Sequence, residues 1–128
     1  MAFFRPRVSR EAEVRFHADQ EISQSFPESL DKARTAEQRV RELQAAHADE
    51  VELREAGLAL DKALTEALRA AEAGQRATFG VKAYDDRIAR RKARATPKGA
   101  MWTSEVDRLR TLREQNRLTG IPRVPAVR

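Results

Sequence analysis

No proline interrupts the chain between Pro27 and Pro97, and from Glu28 to Ala73 the only glycine is Gly57. The run is built mainly from Ala, Leu, Glu, Arg, Lys and Gln, the strongest helix formers. As a single helix rising about 1.5 Å per residue, it would reach roughly 70 Å. A rod of that length leaves only short flanking segments in a chain of 128 residues to cover its apolar stripe. Other chains are therefore expected to share the task, and the question moves from what reaction to what assembly.

Composition supports an all-α chain with a thin core. Hydrophobic residues make up 41%, but many are alanine, and aromatics are only 5%. Alanine lets helices approach closely without filling a thick interior, so a globule with a wide pocket is disfavoured. With Cys 0, disulfides, thiolate catalysis and Cys-ligated zinc are excluded. No apolar run reaches the roughly 18 residues that a membrane span requires, and no apolar stretch follows Arg5, Arg7 and Arg10 as in a secretory signal. The expected location is the cytoplasm, or a particle such as a virion assembled there.

The net charge of +5 conceals segregation. Residues 1–10 hold Arg5, Arg7 and Arg10 and no acid, residues 11–80 are acidic on balance, and residues 81–128 are strongly basic. Acidic middle and basic ends suit contact with a polyanion, head-to-tail stacking of like subunits, or plain solvation.

The expected architecture is extended, with one long helix, short flanking helices and extended terminal arms. Three segments are drawn: residues 1–26 as arm and short helix, 27–74 as the long helix, and 75–128 as a basic helical segment with a tail. Phe3 and Phe4 stand on the first arm as docking anchors or as a local hydrophobic tuck. Ser9 can cap a helix over Arg10–Gln24, with Val14, Ala18, Ile22 and Phe26 as its apolar stripe. A strand over Val8–Phe16 is the alternative.

Ser25-Phe26-Pro27-Glu28 has the spacing of a capping box with proline in the first turn, a start signal for the long helix. Its first half places Ala33, Ala36, Val40, Leu43 and His47 on one face. Its second half places Leu53, Gly57, Leu60, Leu64, Ala67 and Ala71 in the same rhythm, shifted by one residue. Val51 and Leu58 add a second apolar edge, so Val51–Leu68 needs more than one packing neighbour. Acid–base pairs four residues apart, Glu28–Lys32, Glu37–Arg41, Glu50–Arg54 and Glu72–Arg76, are expected on the wet face. The phase shift leaves two outcomes. A continuous or gently bent helix is favoured, because Ala45-Ala46-His47-Ala48 lacks Gly, Pro and Asn. A hairpin breaking at Ala46–Asp49 is the alternative, since Asp49 and Glu52 repeat the capping pattern. Gly57 is a second possible hinge.

Gly74 and Gly80 bracket the expected exit. A helix is then predicted over Val81–Ala95, with Val81, Tyr84, Ile88 and Ala95 on one stripe and Arg87, Arg90, Arg91 and Arg94 on the next. From Arg87 to Lys98 there are basic residues but no acid. Such a stripe can lie along a phosphate backbone, dock on an acidic protein face, sit on an anionic membrane or stay solvated. A linker is expected over Lys98–Trp102, then a helix capped by Ser104 and stopped by a left-handed Gly120. Trp102 is a candidate anchor or a core residue of that helix. Ile121 and Val124 alternate with prolines in a tail suited to a neighbour's groove.

Signatures of catalysis are missing from the sequence. His17 and His47 lie far apart, Asp85-Asp86 suits a helix start, and there is no phosphate loop or nucleophile elbow. A non-enzymatic protein without cofactor, metal or small-molecule substrate is expected. Two functions remain. The first is a structural or adaptor subunit of a large assembly, such as a phage-type virion neck or capsid-associated protein. It would bind its own copies or other subunits through Phe3, Phe4, Val51, Leu58, Leu60, Leu64, Trp102, Ile121 and Val124, without a membrane. The second is a nucleic-acid-associated protein, ribosomal or nucleoid-like, that uses Arg87, Arg90, Arg91, Arg94 and Lys98.

Overall fold

The computed structural model describes residues 8–123, so Phe3, Phe4 and Val124 lie outside the described residues. Five α-helices follow one another: α1 Arg10–Gln24, α2 Phe26–Ala45, α3 Glu50–Phe79, α4 Arg87–Arg94 and α5 Pro97–Gln115. A 3-10 turn, Val81–Tyr84, precedes α4, and a π-helical turn, Asn116–Gly120, follows α5. Ser9 caps α1 as expected, its hydroxyl accepting from the Ala12 N–H at 3.1 Å.

Of the two outcomes for the long run, the chain takes the hairpin. Helix α2 ends at Ala45 with Ala46 as its cap, and His47 sits in the left-handed region at φ 51°. The His47 N–H donates to Gln44 O at 3.2 Å and the Ala48 N–H to Leu43 O at 3.0 Å. That pair of bonds is the Schellman closure, with His47 where glycine usually stands. Asp49 then caps α3, accepting from the Glu52 N–H at 2.8 Å. Histidine is enriched in the left-handed region among non-glycine residues, and that was the signal for a turn here.

Only one residue, Ser25, separates α1 from α2. Its backbone stays helical (φ −81°, ψ −4°) and its hydroxyl donates back to Ile22 O at 2.6 Å. The expected capping box therefore does not form, and Pro27, lacking an N–H, marks a kink. The kinked α1–α2 arm runs back along α3. The last helix, α5, returns along another face of α3: Gln75 Nε2 donates to Thr103 Oγ1 near its start and Asn116 Nδ2 to Gly57 O just beyond its end. Contacts run from α3 to α1, to α2 and to α5, making an antiparallel bundle with α3 at its centre.

The core is thin. Ala33, Val40 and Leu43 of α2, Ala56, Leu60, Leu64, Ala67, Leu68 and Ala71 of α3, and Val106 and Leu109 of α5 form one cluster. Helix α3 does have two packing sides, as the apolar pattern requires, but both neighbours belong to the same chain. Neither Gly57 nor Gly74 breaks the helix; both lie within α3 and are buried. A Cβ on Gly57 would stand 2.6 Å from Gly120 O, and one on Gly74 would stand 2.6 Å from the Trp102 ring. The glycines are seats for close approach.

On α1 the buried face is Ala12 and Asp19, with Phe16 and Ser23 half-buried, and half-buried Phe26 continues it at the start of α2. The expected stripe of Val14, Ala18 and Ile22 faces outward, Val14 being 61% exposed. Beyond α3, Gly80 stops the helix at φ 93°. The expected helix over Val81–Ala95 is split, because Asp86 turns extended and caps α4 by accepting from the Ile88 and Ala89 N–H groups. The expected linker over Lys98–Trp102 is helical instead. Thr96 caps α5, accepting from the Gly99 N–H at 3.1 Å, with Pro97 in the first turn. Gly120 is not left-handed; Gly80 is the positive-φ glycine among the described residues.

Two substitutions test this packing. His47→Gly relieves a left-handed side chain and is expected to stabilise the protein by about 1 kcal/mol, read as a higher Tm. Gly57→Ala forces the Asn116–Gly120 turn off α3 and is expected to cost about 1–3 kcal/mol in urea denaturation, despite alanine's better helix propensity.

Candidate functional site

The strongest convergence of charge lies where the start of α1, the end of α3, the 3-10 turn and α4 meet. Asp19, 7% exposed, is its centre. Arg76 grips it with two bonds, Nε to Oδ2 at 2.9 Å and Nη2 to Oδ1 at 3.0 Å. The Tyr84 hydroxyl donates to the same Oδ2 at 2.5 Å. Arg15 lies over the Tyr84 ring, 5.5 Å from its centroid, and Phe16 meets that ring edge-on at 6.3 Å. Burial alone would raise the Asp19 pKa; hydrogen bonds from Arg76 and Tyr84, with the charges of Arg76 and Arg15, outweigh it and hold the carboxyl below its ordinary value. Burial and the bond to Asp19 push the Tyr84 hydroxyl well above its ordinary range. The hydrogen bond to Asp19 likewise raises Arg76.

These bonds pin the 3-10 turn to the bundle. Asp85 reinforces them, accepting from the Ser9 hydroxyl at 2.7 Å and the Ser9 N–H at 3.3 Å. Arg90 Nη1 donates to Ala83 O at 2.9 Å and Tyr84 O at 3.4 Å, which ties α4 to the same turn. So Asp85 and Asp86 have separate tasks, one holding Ser9 and the other capping α4.

Arg87, Arg91 and Arg94 are exposed on α4, and Lys98 is exposed in the first turn of α5. Among the described residues none of these four, nor Lys92, pairs with an acid. Arg90 belongs to the same stripe but spends Nη1 on structure. The apolar companion stripe does not form, since the break at Asp85–Asp86 separates Val81 and Tyr84 from Ile88, which is 67% exposed. By contrast, Arg41 pairs with Glu37, Lys32 with Glu28, Arg110 with Glu72 and Arg117 with Asp61. Two expected pairs are replaced, as Arg76 turns to Asp19 and Arg54 to Pro122 O.

The partner-binding candidates scatter. Leu60 and Leu64, 6% and 3% exposed, are buried within the chain and so are not available to other subunits. Trp102 is half-buried against Gly74 and meets Phe26 edge-on at 5.3 Å, as a core residue of α5 would. Ile121 is half-buried beside Gly57. Val51 and Leu58 remain exposed, at 57% and 47%. Asp19, Arg15, Arg76 and Tyr84 were not singled out as a group in the sequence. Their signal was the face through Ala12, Phe16, Asp19 and Phe26, which carries two aromatics and competes with Val14, Ala18 and Ile22.

Among the described residues no group of three His, Cys, Asp or Glu side chains could hold a metal ion, and no helix is long and apolar enough to cross a membrane. No protein-family model, curated protein or solved structure matches the chain.

Asp19→Asn should cost about 1–3 kcal/mol at neutral pH, less than a fully buried pair because the Arg76 side chain is 42% exposed. The stability that ionised Asp19 supplies is fully present above its unfolded value, near 3.8, and is lost as pH falls through its lower folded value. The gap between wild type and variant in urea denaturation should therefore narrow on acidification below about pH 4. A gap that widens there would contradict this account.

Proposed function

We propose that this protein binds nucleic acid through α4, without reading sequence. One observation carries the proposal: from Arg87 to Lys98 the exposed cations Arg87, Arg91, Lys92, Arg94 and Lys98 follow one another without an intervening acid and have no acidic partner among the described residues, whereas Lys32, Arg34, Arg41, Arg76, Arg108, Arg110 and Arg117 are paired. Eight helical residues extend about 12 Å, enough to follow several phosphates or enter a major groove. Between Arg87 and Arg94 there is no Asn, Gln or acid to read adenine or cytosine edges, and the Arg and Lys side chains that remain suit phosphate contact, with guanine the one base they could also read. The Asp86 cap and the Arg90 bonds hold the helix in place, so little order is lost on binding.

A second reading, a structural or adaptor subunit of a larger assembly such as a phage-type virion, is favoured by exposed Val51 and Leu58, two turns apart on α3. It has lost its main premise, because the chain covers most of the long run itself. Solution mass separates the two. The nucleic-acid reading expects a monomer that shifts in mass when duplex DNA is added, and the assembly reading expects an oligomer without it.

Binding of duplex DNA should fall steeply between 50 and 200 mM salt. The variant Arg87→Gln/Arg91→Gln/Arg94→Gln should flatten the log–log salt slope by about 0.9 per lost contact, roughly 2.7 in all. An unchanged slope would remove α4 from the interface.

A further inference from the structure

Arg15 of α1, Arg76 of α3 and Arg90 of α4 border one small, half-open cavity, whose remaining lining is Phe79, Ala83 and Tyr84. Its volume is about 100 Å³, room for a small oxyanion but not for a base or sugar. Three guanidiniums line this rim, and the acids near them are already engaged: Asp19 by Arg76 and Tyr84, Glu72 by Arg110, Asp85 by Ser9 and Asp86 as the cap of α4. Arg15 and Arg90 are exposed, so water screens part of the repulsion among the three, and an anion seated between them would relieve the rest.

Each arginine is held in place by a group other than the cavity's occupant. Arg76 uses Nε and Nη2 on Asp19, Arg90 uses Nη1 on the carbonyls of Ala83 and Tyr84, and Arg15 rests on the Tyr84 ring. A guanidinium has five N–H donors, so Arg76 and Arg90 each retain donors beyond these bonds. The Arg15 side chain makes no hydrogen bond among the described residues. Preorganised, partly unused donors around a small cavity are what phosphate recognition requires. Arg90 also belongs to α4, so the cavity adjoins the unpaired stripe.

We infer that this cavity receives a single phosphate group, free or in a nucleic-acid backbone, and so fixes where a strand crosses α4. The inference rests on the nucleic-acid reading of α4 only for the source of the phosphate. Tyr84, the chain's only tyrosine, forms part of the wall and serves as a reporter.

The test titrates inorganic phosphate into the full chain at constant ionic strength, with chloride as the balancing ion, and follows Tyr84 ultraviolet absorbance and binding heat. A saturable change is expected, and Arg15→Gln should weaken phosphate about tenfold, the factor for one lost charge-assisted bond of 1.4 kcal/mol. Unchanged Trp102 emission shows that the variant keeps its fold. A parallel arm titrates a duplex oligonucleotide into wild type, Arg15→Gln and the triple α4 variant. Phosphate binding that is lost in Arg15→Gln, with no duplex bound by any protein, would keep the cavity and sink the nucleic-acid reading. Duplex binding that needs α4 but ignores Arg15, with Tyr84 silent to phosphate, would sink the cavity alone.

Discussion

Close approach along α3 is the interaction on which the bundle depends. Alanine buries little area, so a helix rich in it gains packing only where its neighbours come near enough for dispersion contacts to accumulate. Gly57 admits the backbone of Gly120, and Gly74 admits the Trp102 ring. Between them Ala67, Ala71 and Ala73 are 0% exposed, while the largest fully buried side chains are only Leu109 and Val106. Stability here comes from proximity over three helices more than from large apolar volumes. It also requires the chain to reverse, which is why a left-handed His47 is tolerated at φ 51°.

Electrostatics then position what the apolar contacts leave loose. The 3-10 turn and α4 bury little: within Val81–Tyr84 only Ala83 is buried, and within α4 no residue is. Bonds from Asp19 to Tyr84, from Ser9 to Asp85 and from Arg90 to two carbonyls take over that task. The buried carboxylate costs desolvation, and two partners on separate elements compensate it. The same bonds that hold the turn also gather Arg15, Arg76 and Arg90.

Helix content and capping were largely legible in the residues. Ser9 and the span Arg10–Gln24 emerge as read, as do the inward faces of α2 and of much of α3. What failed was the choice between competing local signals. On α1, larger aliphatic side chains at Val14 and Ile22 pointed to the wrong face, because the neighbour on that side needed a small residue at Ala12 and an acid at Asp19. At Thr96-Pro97 a stop signal was also a start signal, since proline fits the first turn of a helix as well as ending the previous one. Gly57 looked like a hinge and Gly74 like the edge of a break because a sequence does not reveal which atoms approach a missing side chain. The Asp19 cluster joins residues up to 65 positions apart, so no local spacing announces it.

The run of cations on α4 has a kinetic consequence for the proposed nucleic-acid reading. From Arg87 to Lys98 the chain carries Arg87, Arg90, Arg91, Lys92, Arg94 and Lys98 and no acid, whereas the hairpin end mixes Asp49, Glu50, Glu52 and Glu55 with Arg54 and with Arg117 and Arg123, which the bonds of Asn116 to Gly57 O and of Arg54 to Pro122 O bring there. On that reading the unbroken positive field of α4 draws a polyanion to its own end of the bundle before contact. Adding salt would shorten the distance over which that attraction acts, slowing arrival as well as weakening the bound state.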